Sequence, residues 1–290
     1  MSTIAAGPDT SPDPEALERE ADRLVRELGI PPCPQILARF RAEMLRDDPD
    51  LRTLAALITH DVALSAAMLK TVNSAFYGLG TKVTGVPQAL AVLGLRASAT
   101  LVSGLLLRQA FPAAASIRME RFWELSGALA STAATVAAQV RNIDRDEAHT
   151  FALFRECGMA LMIARFREYD GVHRFTAGQR VTAEEELRFH YNHARVGYAL
   201  ARGWLLPEHL CRAILHHHDF GLVLAGHKSI DPRSRRLVAF GLLTQQVATL
   251  RAERKLCPEW PEMESYVLES LDVAPDEIVA LAGEPEAEPA

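Results

Sequence analysis

The amino-acid sequence predicts an all-α protein. Apolar residues recur every three or four positions in almost every segment, which is the spacing of one buried helical face. Strict alternation of apolar and polar residues, which would indicate half-buried strands, is not found in the sequence. Because 49% of the 290 residues are hydrophobic, the helices have enough apolar surface to form a substantial core.

The N-terminal part of the chain contains three helical segments with clear boundaries. The first has an apolar stripe formed by Leu17, Ala21, Leu24, Val25 and Leu28. Asp50 is placed to cap the second, because a short acidic side chain accepts hydrogen bonds from the first helical turn. Asp61 can cap the third, which ends near Asn73. Gly78 and Gly80 then supply the residues for a tight exit.

Helical periodicity continues through the rest of the chain. It predicts helices at Val86–Gly94, Arg96–Ala110, Met119–Val140, Asp146–Phe166, Ala183–Arg202, Pro207–His216, Arg233–Arg254 and Glu262–Leu271. Pro112 interrupts the pattern and is the best candidate for a junction between two lobes. We therefore expect an N-terminal helical lobe over residues 15–111 and a second helical lobe over 112–282. Residues 1–14 and 283–290 are rich in proline, alanine and acidic residues, and we expect them to be disordered.

Composition narrows the classes of function. The 31 lysines and arginines are outnumbered by 37 aspartates and glutamates, so the chain lacks the basic footprint that phosphate-backbone binding requires. The N-terminal residues do not resemble a signal peptide. The apolar run Ala97–Leu107 is far shorter than the roughly 20 residues of a membrane span, and we interpret it as a buried helix. We expect a cytoplasmic protein that binds neither nucleic acid nor a membrane.

Signatures of cofactors and of nucleophilic catalysis are missing from the sequence. The four cysteines form no CxxC pair and are expected to be reduced and buried. No GxGxxG motif, P-loop or GxSxG motif occurs, so we expect no cofactor. Glu184–Glu186 has no nucleophile beside it, and we interpret it as a solvated first turn of a helix.

The stretch AILHHHDF, residues 213–220, raises the question of a metal site. Imidazole nitrogens and carboxylate oxygens are the ligands that zinc, iron and manganese prefer. If the stretch is helical, however, His216, His217 and His218 point about 100° apart, so at most one or two of them can face the same ion. Further ligands then have to come from other parts of the chain.

Several long motifs resemble, in their order, the HDOD family of bacterial signalling domains. They are IPPCPQILARF, LAALITHDVALSAAMLKTVNSAFYG, VTGVPQALAVLGL, FWELS, ALFRECGMALM and HARVGYALARGWLLPEHLCRAILHHHD, and they extend roughly from Ile30 to Asp219. HDOD domains are related to the HD-type metal phosphohydrolases. The resemblance implies an all-α fold in which an N-terminal helical lobe packs on a lobe with the HD-hydrolase arrangement of helices.

The resemblance also implies that the metal site of the hydrolases is incomplete here. An HD phosphohydrolase has a histidine where this chain has Leu125, and an adjacent histidine and aspartate where it has Arg155 and Glu156. Leucine has no lone pair, and arginine would place a fixed positive charge beside a divalent ion. Of the three residues, only the glutamate can coordinate. HDOD domains typically lack this catalytic set, so we expect no enzymatic activity.

Three histidines remain as metal candidates. His193, His217 and His218 match positions at which the family keeps histidines, so part of an ancestral pocket is expected to persist. Neighbouring histidines of one helix cannot converge on one ion, and a usable site needs at least three well-placed ligands. We therefore expect these rings to be packed or hydrogen-bonded at a lobe interface, with no functional metal centre beyond a weak two-ligand surface site.

A second candidate site lies in the motif LKTVNSAFYG. Asn73, Ser74, Phe76 and Tyr77 could contact a partner or a ligand. A structural interpretation competes with this one: Asn73 and Ser74 satisfy backbone groups at a helix end, while Phe76 and Tyr77 pack between the lobes. The sequence favours the structural interpretation, because helix ends routinely recruit such residues.

The functional prediction depends mainly on the resemblance. We expect a non-enzymatic bacterial signal-transduction protein that acts by binding another signalling protein, in a cyclic-di-nucleotide or motility-linked circuit. One alternative is a divergent HD-type metal-dependent phosphohydrolase that uses His193, His217, His218 and Asp219. Another is a small-molecule sensor whose ligand binds between the lobes.

Overall fold

The computed structural model describes residues 14–74, 77–112, 115–170 and 179–283. Within these ranges it contains fifteen α-helices and no β-strand, which confirms the all-α prediction. The helices are α1 (Pro14–Leu28), α2 (Gln35–Met44), α3 (Leu51–His60), α4 (Val62–Val72), α5 (Val86–Ala110), α6 (Ile117–Ala137), α7 (Arg145–Phe154), α8 (Cys157–Arg165), α9 (Gln179–Phe189), α10 (His193–Gly203), α11 (Glu208–Leu215), α12 (Phe220–Leu224), α13 (Pro232–Glu253), α14 (Trp260–Leu271) and α15 (Pro275–Ala282).

Helices α2, α3 and α4 pack around α5 in the N-terminal part of the fold. Both predicted caps are present: the Asp50 carboxylate accepts hydrogen bonds from the first turn of α3, and the Asp61 carboxylate accepts one from the first turn of α4. Leu54, Ile58 and Met68 are fully buried, so each helix directs its predicted apolar face into the core.

Helix α5 is broken at Gly94. The φ of this residue is +75°, a left-handed value that glycine adopts without the steric cost of a Cβ atom. The break separates the two helical patterns that the sequence shows at Val86–Gly94 and Arg96–Ala110. Among the described residues α5 is also long and apolar enough to span a membrane, and α3 with α4 would pass the same test if they were not bent by 113°. In the fold α5 contacts α2, α3, α4 and α7.

Helix α1 packs on α10, which lies far along the chain. Arg195 and Arg202 of α10 form ion pairs with Glu20 (2.7 Å) and Glu18 (3.0 Å) of α1. The Trp204 indole N–H donates a hydrogen bond to the backbone carbonyl of Pro31, between α1 and α2, at 2.9 Å. The predicted N-terminal lobe, residues 15–111, therefore contacts the predicted second lobe through α1 and α10.

Helix α13 forms the centre of the C-terminal part. It contacts α6, α7, α11, α14 and α15, and its residues Phe240, Leu243 and Val247 have no exposed surface. The second half of the chain is thus built around one long buried helix, against which α7 and α11 are fixed.

Asn73 connects the end of α4 to the segment before α5. Its amide group donates hydrogen bonds to the carbonyls of Leu69 and Val83, each at 2.8 Å, and its Oδ1 accepts one from the Val83 N–H at 2.8 Å. The Ser74 hydroxyl donates to the Thr71 carbonyl at 2.6 Å. These contacts agree with the structural interpretation of both residues. Phe76 lies outside the described residues.

We expect Asn73→Ala to lower the free energy of unfolding by about 1–3 kcal/mol, because it removes three hydrogen bonds and leaves a part-buried backbone N–H without its acceptor. Ser74→Ala serves as the control and should cost about 0.5–1.5 kcal/mol, since only one local bond is lost. Urea unfolding followed by circular dichroism measures both. An Asn73→Ala protein as stable as Ser74→Ala would contradict the bridging role.

Candidate functional site

Four buried side chains converge on one point. Glu156, His193, His217 and His218, which we call the His–Glu cluster, each direct one potential ligand atom toward the others, and these atoms lie within 4.8 Å of one another. His193 Nε2 is 3.3 Å from His217 Nε2, 3.2 Å from His218 Nε2 and 3.1 Å from Glu156 Oε2. His217 Nε2 lies 3.5 Å from the same carboxylate oxygen. None of the four residues exposes more than 7% of its surface.

His216, His217 and His218 are not on a helix, so the premise from which we predicted that adjacent histidines cannot converge on one ion is wrong. Helix α11 ends at Leu215, and residues 216–218 form a turn before α12. His217 Nδ1 lies 2.6 Å from the Ile214 carbonyl oxygen, which orients the ring. His216 is directed elsewhere, with its Nδ1 2.9 Å from Asp219. The turn therefore places two of the three histidines in the cluster and leaves His216 and Asp219 outside it.

Glu156 and Arg155 occupy a break between two helices. The prediction of a single helix over Asp146–Phe166 is wrong, since Arg155 caps the C-terminus of α7 and Glu156 precedes the first residue of α8. A cation at a helix C-terminus and an anion at an N-terminus are each favoured by the helix dipole. Apolar periodicity continues across the break, because only two residues separate the helices.

The Arg155 guanidinium lies on the far side of Glu156 from the histidines. Its Nε donates to Glu156 Oε1 at 3.0 Å, and its two terminal nitrogens donate to the Gly241 carbonyl (3.0 Å) and to Gln245 Oε1 (2.7 Å). The other carboxylate oxygen, Oε2, faces the rings. The expectation that Arg155 stands directly beside an ion in this pocket is therefore wrong, because the carboxylate lies between them.

Gly158 and Gly197 allow α8 and α10 to come into backbone contact. A Cβ atom on Gly158 would lie 1.9 Å from the His193 carbonyl oxygen and 2.7 Å from the Gly197 nitrogen. No side chain fits into that space. The close approach brings the start of α8, and with it Glu156, against the first residue of α10, which is His193.

Two further glutamates hold the histidine rings from outside. Glu185 Oε2 lies 2.7 Å from His193 Nδ1 and accepts a hydrogen bond from the His193 backbone N–H at 2.9 Å. Tyr169 donates its hydroxyl hydrogen to the other oxygen of Glu185 at 2.6 Å. Glu259 Oε1 lies 2.9 Å from His218 Nδ1. Such outer acceptors fix the orientation and tautomer of a histidine ring.

Glu185 also corrects the interpretation of Glu184–Glu186 as a solvated turn. Only 4% of Glu185 is exposed. It lies on one stripe of α9 with the buried residues Val181 and Phe189, four positions away on either side. That spacing was a usable signal in the sequence. The single helix predicted over Ala183–Arg202 is wrong as well, because α9 ends at Phe189 and α10 begins at His193.

The hydrogen-bond partners define which ring nitrogen carries hydrogen. A carbonyl oxygen can only accept, so the Nδ1 of His217 must donate to Ile214. The carboxylates of Glu185 and Glu259 likewise accept from the Nδ1 atoms of His193 and His218. In the neutral rings, all three Nε2 atoms then present a lone pair to the centre of the cluster.

Burial and charge move the pKa values in this pocket in opposite directions. Burial alone would lower the pKa of His193, but the carboxylates of Glu185 and Glu156 outweigh it and raise this pKa to about 10. Burial and the neighbouring His218 ring lower the pKa of His217 to about 3. Burial would raise the pKa of Glu156, yet the imidazoles and the Arg155 guanidinium hold it well below its usual range. The carboxylates around the pocket thus favour positive charge at its centre.

Four of the six distances between ligand atoms in the His–Glu cluster match those between the ligands of one metal ion, and the other two are within 4.8 Å. Zinc binds imidazole nitrogen and carboxylate oxygen at about 2.0–2.2 Å, so the ligand atoms of a tetrahedral site lie roughly 3.3 Å apart. The four pairs of atoms given above are 3.1–3.5 Å apart. Glu156 Oε2 is buried, lies 3.1 Å from His193 Nε2, and has no well-aligned hydrogen-bond donor among the described residues. The residues therefore fit a divalent ion of the zinc type.

The remaining predicted residues lie outside this cluster. Leu125 is partly buried and packs against the hydrophobic core. Tyr77 is half-buried, and burial together with the Asp146 carboxylate of α7 raises its pKa, which places the tyrosine near that helix. All four cysteines are free; Cys157, Cys211 and Cys257 are buried as predicted, whereas Cys33 is only partly buried.

The fifteen helices of the described residues and the buried cluster of histidines define an all-α protein with a candidate metal-binding pocket. A sequence profile for the HDOD domain matches residues 30–220, about two thirds of the chain. The chain belongs to the HDOD domain family.

Comparison with solved structures supports this fold. A Geobacter sulfurreducens HDOD domain protein of unknown function superposes with a TM-score of 0.61 at 20% identity, over 94% of this chain and 99% of the other. A Shewanella amazonensis SB2B protein, provisionally described as a phosphohydrolase, gives 0.63 at 20% identity, over 89% and 91%. A Marinobacter aquaeolei VT8 protein, provisionally described as a signal-transduction protein, gives 0.63 at 15% identity, over 92% and 62%. At these identities the likeness shows the fold alone.

One curated relative is an uncharacterized protein of Treponema pallidum (strain Nichols). It is 25% identical over 201 residues, which are 66% of this chain and 38% of the relative. The chain therefore spans less than half of that protein.

Proposed function

We propose that this protein is a non-enzymatic regulator of bacterial signal transduction, which acts in the cytoplasm by binding another signalling protein. Membership of the HDOD family and the fold shared with a provisionally described signal-transduction protein support a signalling role. A circuit based on cyclic dinucleotides or motility is the setting that the family resemblance suggests.

The burial of the His–Glu cluster is the main observation in favour of a non-enzymatic function. A hydrolytic metal needs an open coordination position and a path for the phosphate substrate. Here the four central residues expose between 0% and 7% of their surface. By the family resemblance Arg155 stands where the hydrolases have a metal ligand, but its guanidinium cannot coordinate and is held instead by Glu156, Gly241 and Gln245.

We expect the wild-type protein to hydrolyse none of cyclic-di-GMP, cyclic AMP and nucleoside monophosphates, in the presence of Zn²⁺, Mn²⁺, Fe²⁺ or Mg²⁺. Single substitutions toward the hydrolase residues, Leu125→His, Arg155→His and Glu156→Asp, should not create activity, because several ligands and their supporting contacts must be placed together. Product release is measured by chromatography. Metal-dependent turnover that disappears in His217→Ala would overturn the proposal.

The partner is tested by cross-linking in the native cell followed by mass spectrometry. We expect one signalling protein to be cross-linked reproducibly to lysines of this chain. The same protein should bind the purified chain and shield those lysines from chemical modification. If none of the cross-linked proteins binds the purified chain, the proposal that this protein acts by binding another protein is contradicted.

The divergent hydrolase remains the second candidate, because the His–Glu cluster contains four side chains that can ligate a metal. The hydrolysis assay separates the two functions directly. For the sensor alternative, the structure describes a groove of about 590 Å³ at the starts of α7 and α13, lined in part by Asp144, Glu147 and Arg233. Its lining residues all come from positions 142–237, so this groove is not a pocket between the predicted lobes.

A further inference from the structure

We propose that the His–Glu cluster is a closed, four-ligand binding site for one divalent transition-metal ion of the zinc type, which fastens the starts of α8 and α10 to the turn after α11. Its ligands are Glu156 Oε2 and the Nε2 atoms of His193, His217 and His218. This site goes beyond the proposed signalling function, and it differs from a hydrolytic centre because all four ligands come from the protein.

Hydrogen bonding by itself does not satisfy the four central atoms. Each Nδ1 donates outward, to Glu185, to the Ile214 carbonyl or to Glu259, so each neutral Nε2 is an acceptor. Nε2 atoms separated by 3.2 and 3.3 Å then face one another as lone pairs. A single proton on His193 could serve only one neighbour, whereas a metal ion accepts all four lone pairs at once.

The charges of the surrounding groups match a divalent ion. Three carboxylates, Glu156, Glu185 and Glu259, contact the histidines, and each exposes 7% or less of its surface. One of these carboxylates, Glu156, is paired with the guanidinium of Arg155. Neutral histidines leave two negative charges uncompensated in a buried pocket, which is costly. One divalent cation cancels them, while one proton leaves a charge behind.

The ligand types and the burial define the class of site. Imidazole and carboxylate ligands suit zinc, iron and manganese, and four protein ligands without an open position are typical of structural sites. The outer acceptors on the three Nδ1 atoms are the contacts that usually accompany metal-bound histidines. The ion would connect three segments that are far apart in sequence, so it would stabilise the fold without reaching a substrate.

Metal content is measured on untagged protein that has been purified without a nickel column and dialysed. We expect about one equivalent of zinc, iron or manganese per chain, or about one equivalent of Zn²⁺ after reconstitution of chelator-treated protein. Bound Co²⁺ should give the intense visible absorption of four-coordinate cobalt. Less than a tenth of an equivalent after both procedures, or the weak spectrum of six-coordinate cobalt, would overturn the proposed site.

The matched variants are His218→Gln and Glu156→Gln, which remove one ligand each with little change in volume, and His216→Gln, which alters the adjacent histidine outside the cluster. We expect the first two to lose the metal, and His216→Gln to retain it. Equal metal content in all three would place the ion elsewhere and overturn the assignment. If the ligand variants fail to fold, the wild-type measurements still decide.

A structural role predicts that metal removal lowers the Tm. Treatment of the wild type with a strong chelator should lower the Tm, and Zn²⁺ should restore it. His218→Gln should have a low Tm that neither treatment changes, whereas His216→Gln should respond as the wild type does. A Tm that is identical with and without bound metal would overturn the fastening role. A closed site is compatible with a protein that hydrolyses nothing, so these measurements are independent of the hydrolysis assay.

Discussion

Gly158→Ala is expected to destabilise the protein by about 3 kcal/mol or more, which is at the upper end of the cost of overpacking a core. The added methyl group would lie 1.9 Å from the His193 carbonyl oxygen and 2.7 Å from the Gly197 nitrogen. Both are backbone atoms of α10, so no side chain can rotate away. Relief requires α8 to move, which also separates Glu156 from His193.

Gly127 provides the matched control for this substitution. It lies within α6, and a Cβ atom added to it would meet no other described part of the chain within 4 Å. Gly127→Ala should therefore stabilise the protein by about 0.5–1 kcal/mol through helix propensity. Urea unfolding of the two variants gives the comparison. If Gly158→Ala were as stable as Gly127→Ala, the close contact of α8 with α10 would be refuted.

Arg155→Met is expected to cost about 3–5 kcal/mol, because it removes one partner of a buried ion pair and leaves the other charge uncompensated. The Arg155 and Glu156 side chains expose 5% and 1% of their surface and lie 3.0 Å apart. The substitution also deprives the Gly241 carbonyl and Gln245 Oε1 of their donors. Loss of the guanidinium should raise the pKa of Glu156, since that charge is one of the groups that lowers it.

Arg121→Met is the control for this prediction. Arg121 pairs with Glu124 at 3.2 Å, but both side chains are 59% exposed, and such surface pairs contribute at most about 1 kcal/mol. Arg155→Lys keeps the charge but cannot make three directional hydrogen bonds, so we expect a stability between those of the wild type and Arg155→Met. Denaturant midpoints of the four proteins test this order. Equal stability of Arg155→Met and Arg121→Met would show that the buried pair has no structural role.

Sequence reasoning named some residues of the candidate site, but only as remnants of an ancestral pocket that was expected to hold no functional metal. His193, His217, His218 and the coordinating ability of Glu156 were identified from residue type and motif position. Glu259 was not identified, because nothing near it in the sequence marks a glutamate that will meet a histidine forty-one residues away. Glu185 was misinterpreted, although its spacing from Val181 and Phe189 indicated a buried face.

The sequence by itself determined the all-α class, the caps at Asp50 and Asp61, the interruption at Gly94 and the membership of the HDOD family. These features depend on periodicity, on local hydrogen bonds and on ordered motifs, all of which act over short distances in the chain.

Only the tertiary structure decided how the histidines are arranged. Three short interruptions control this arrangement: the break at Arg155 and Glu156, the gap between α9 and α10, and the end of α11 at Leu215. Each spans only a few residues, so the apolar pattern passes through it without a visible change. The backbone contact at Gly158 then sets the distance between α8 and α10. Convergence of four side chains from three segments is a property of helix packing, which local sequence patterns do not encode.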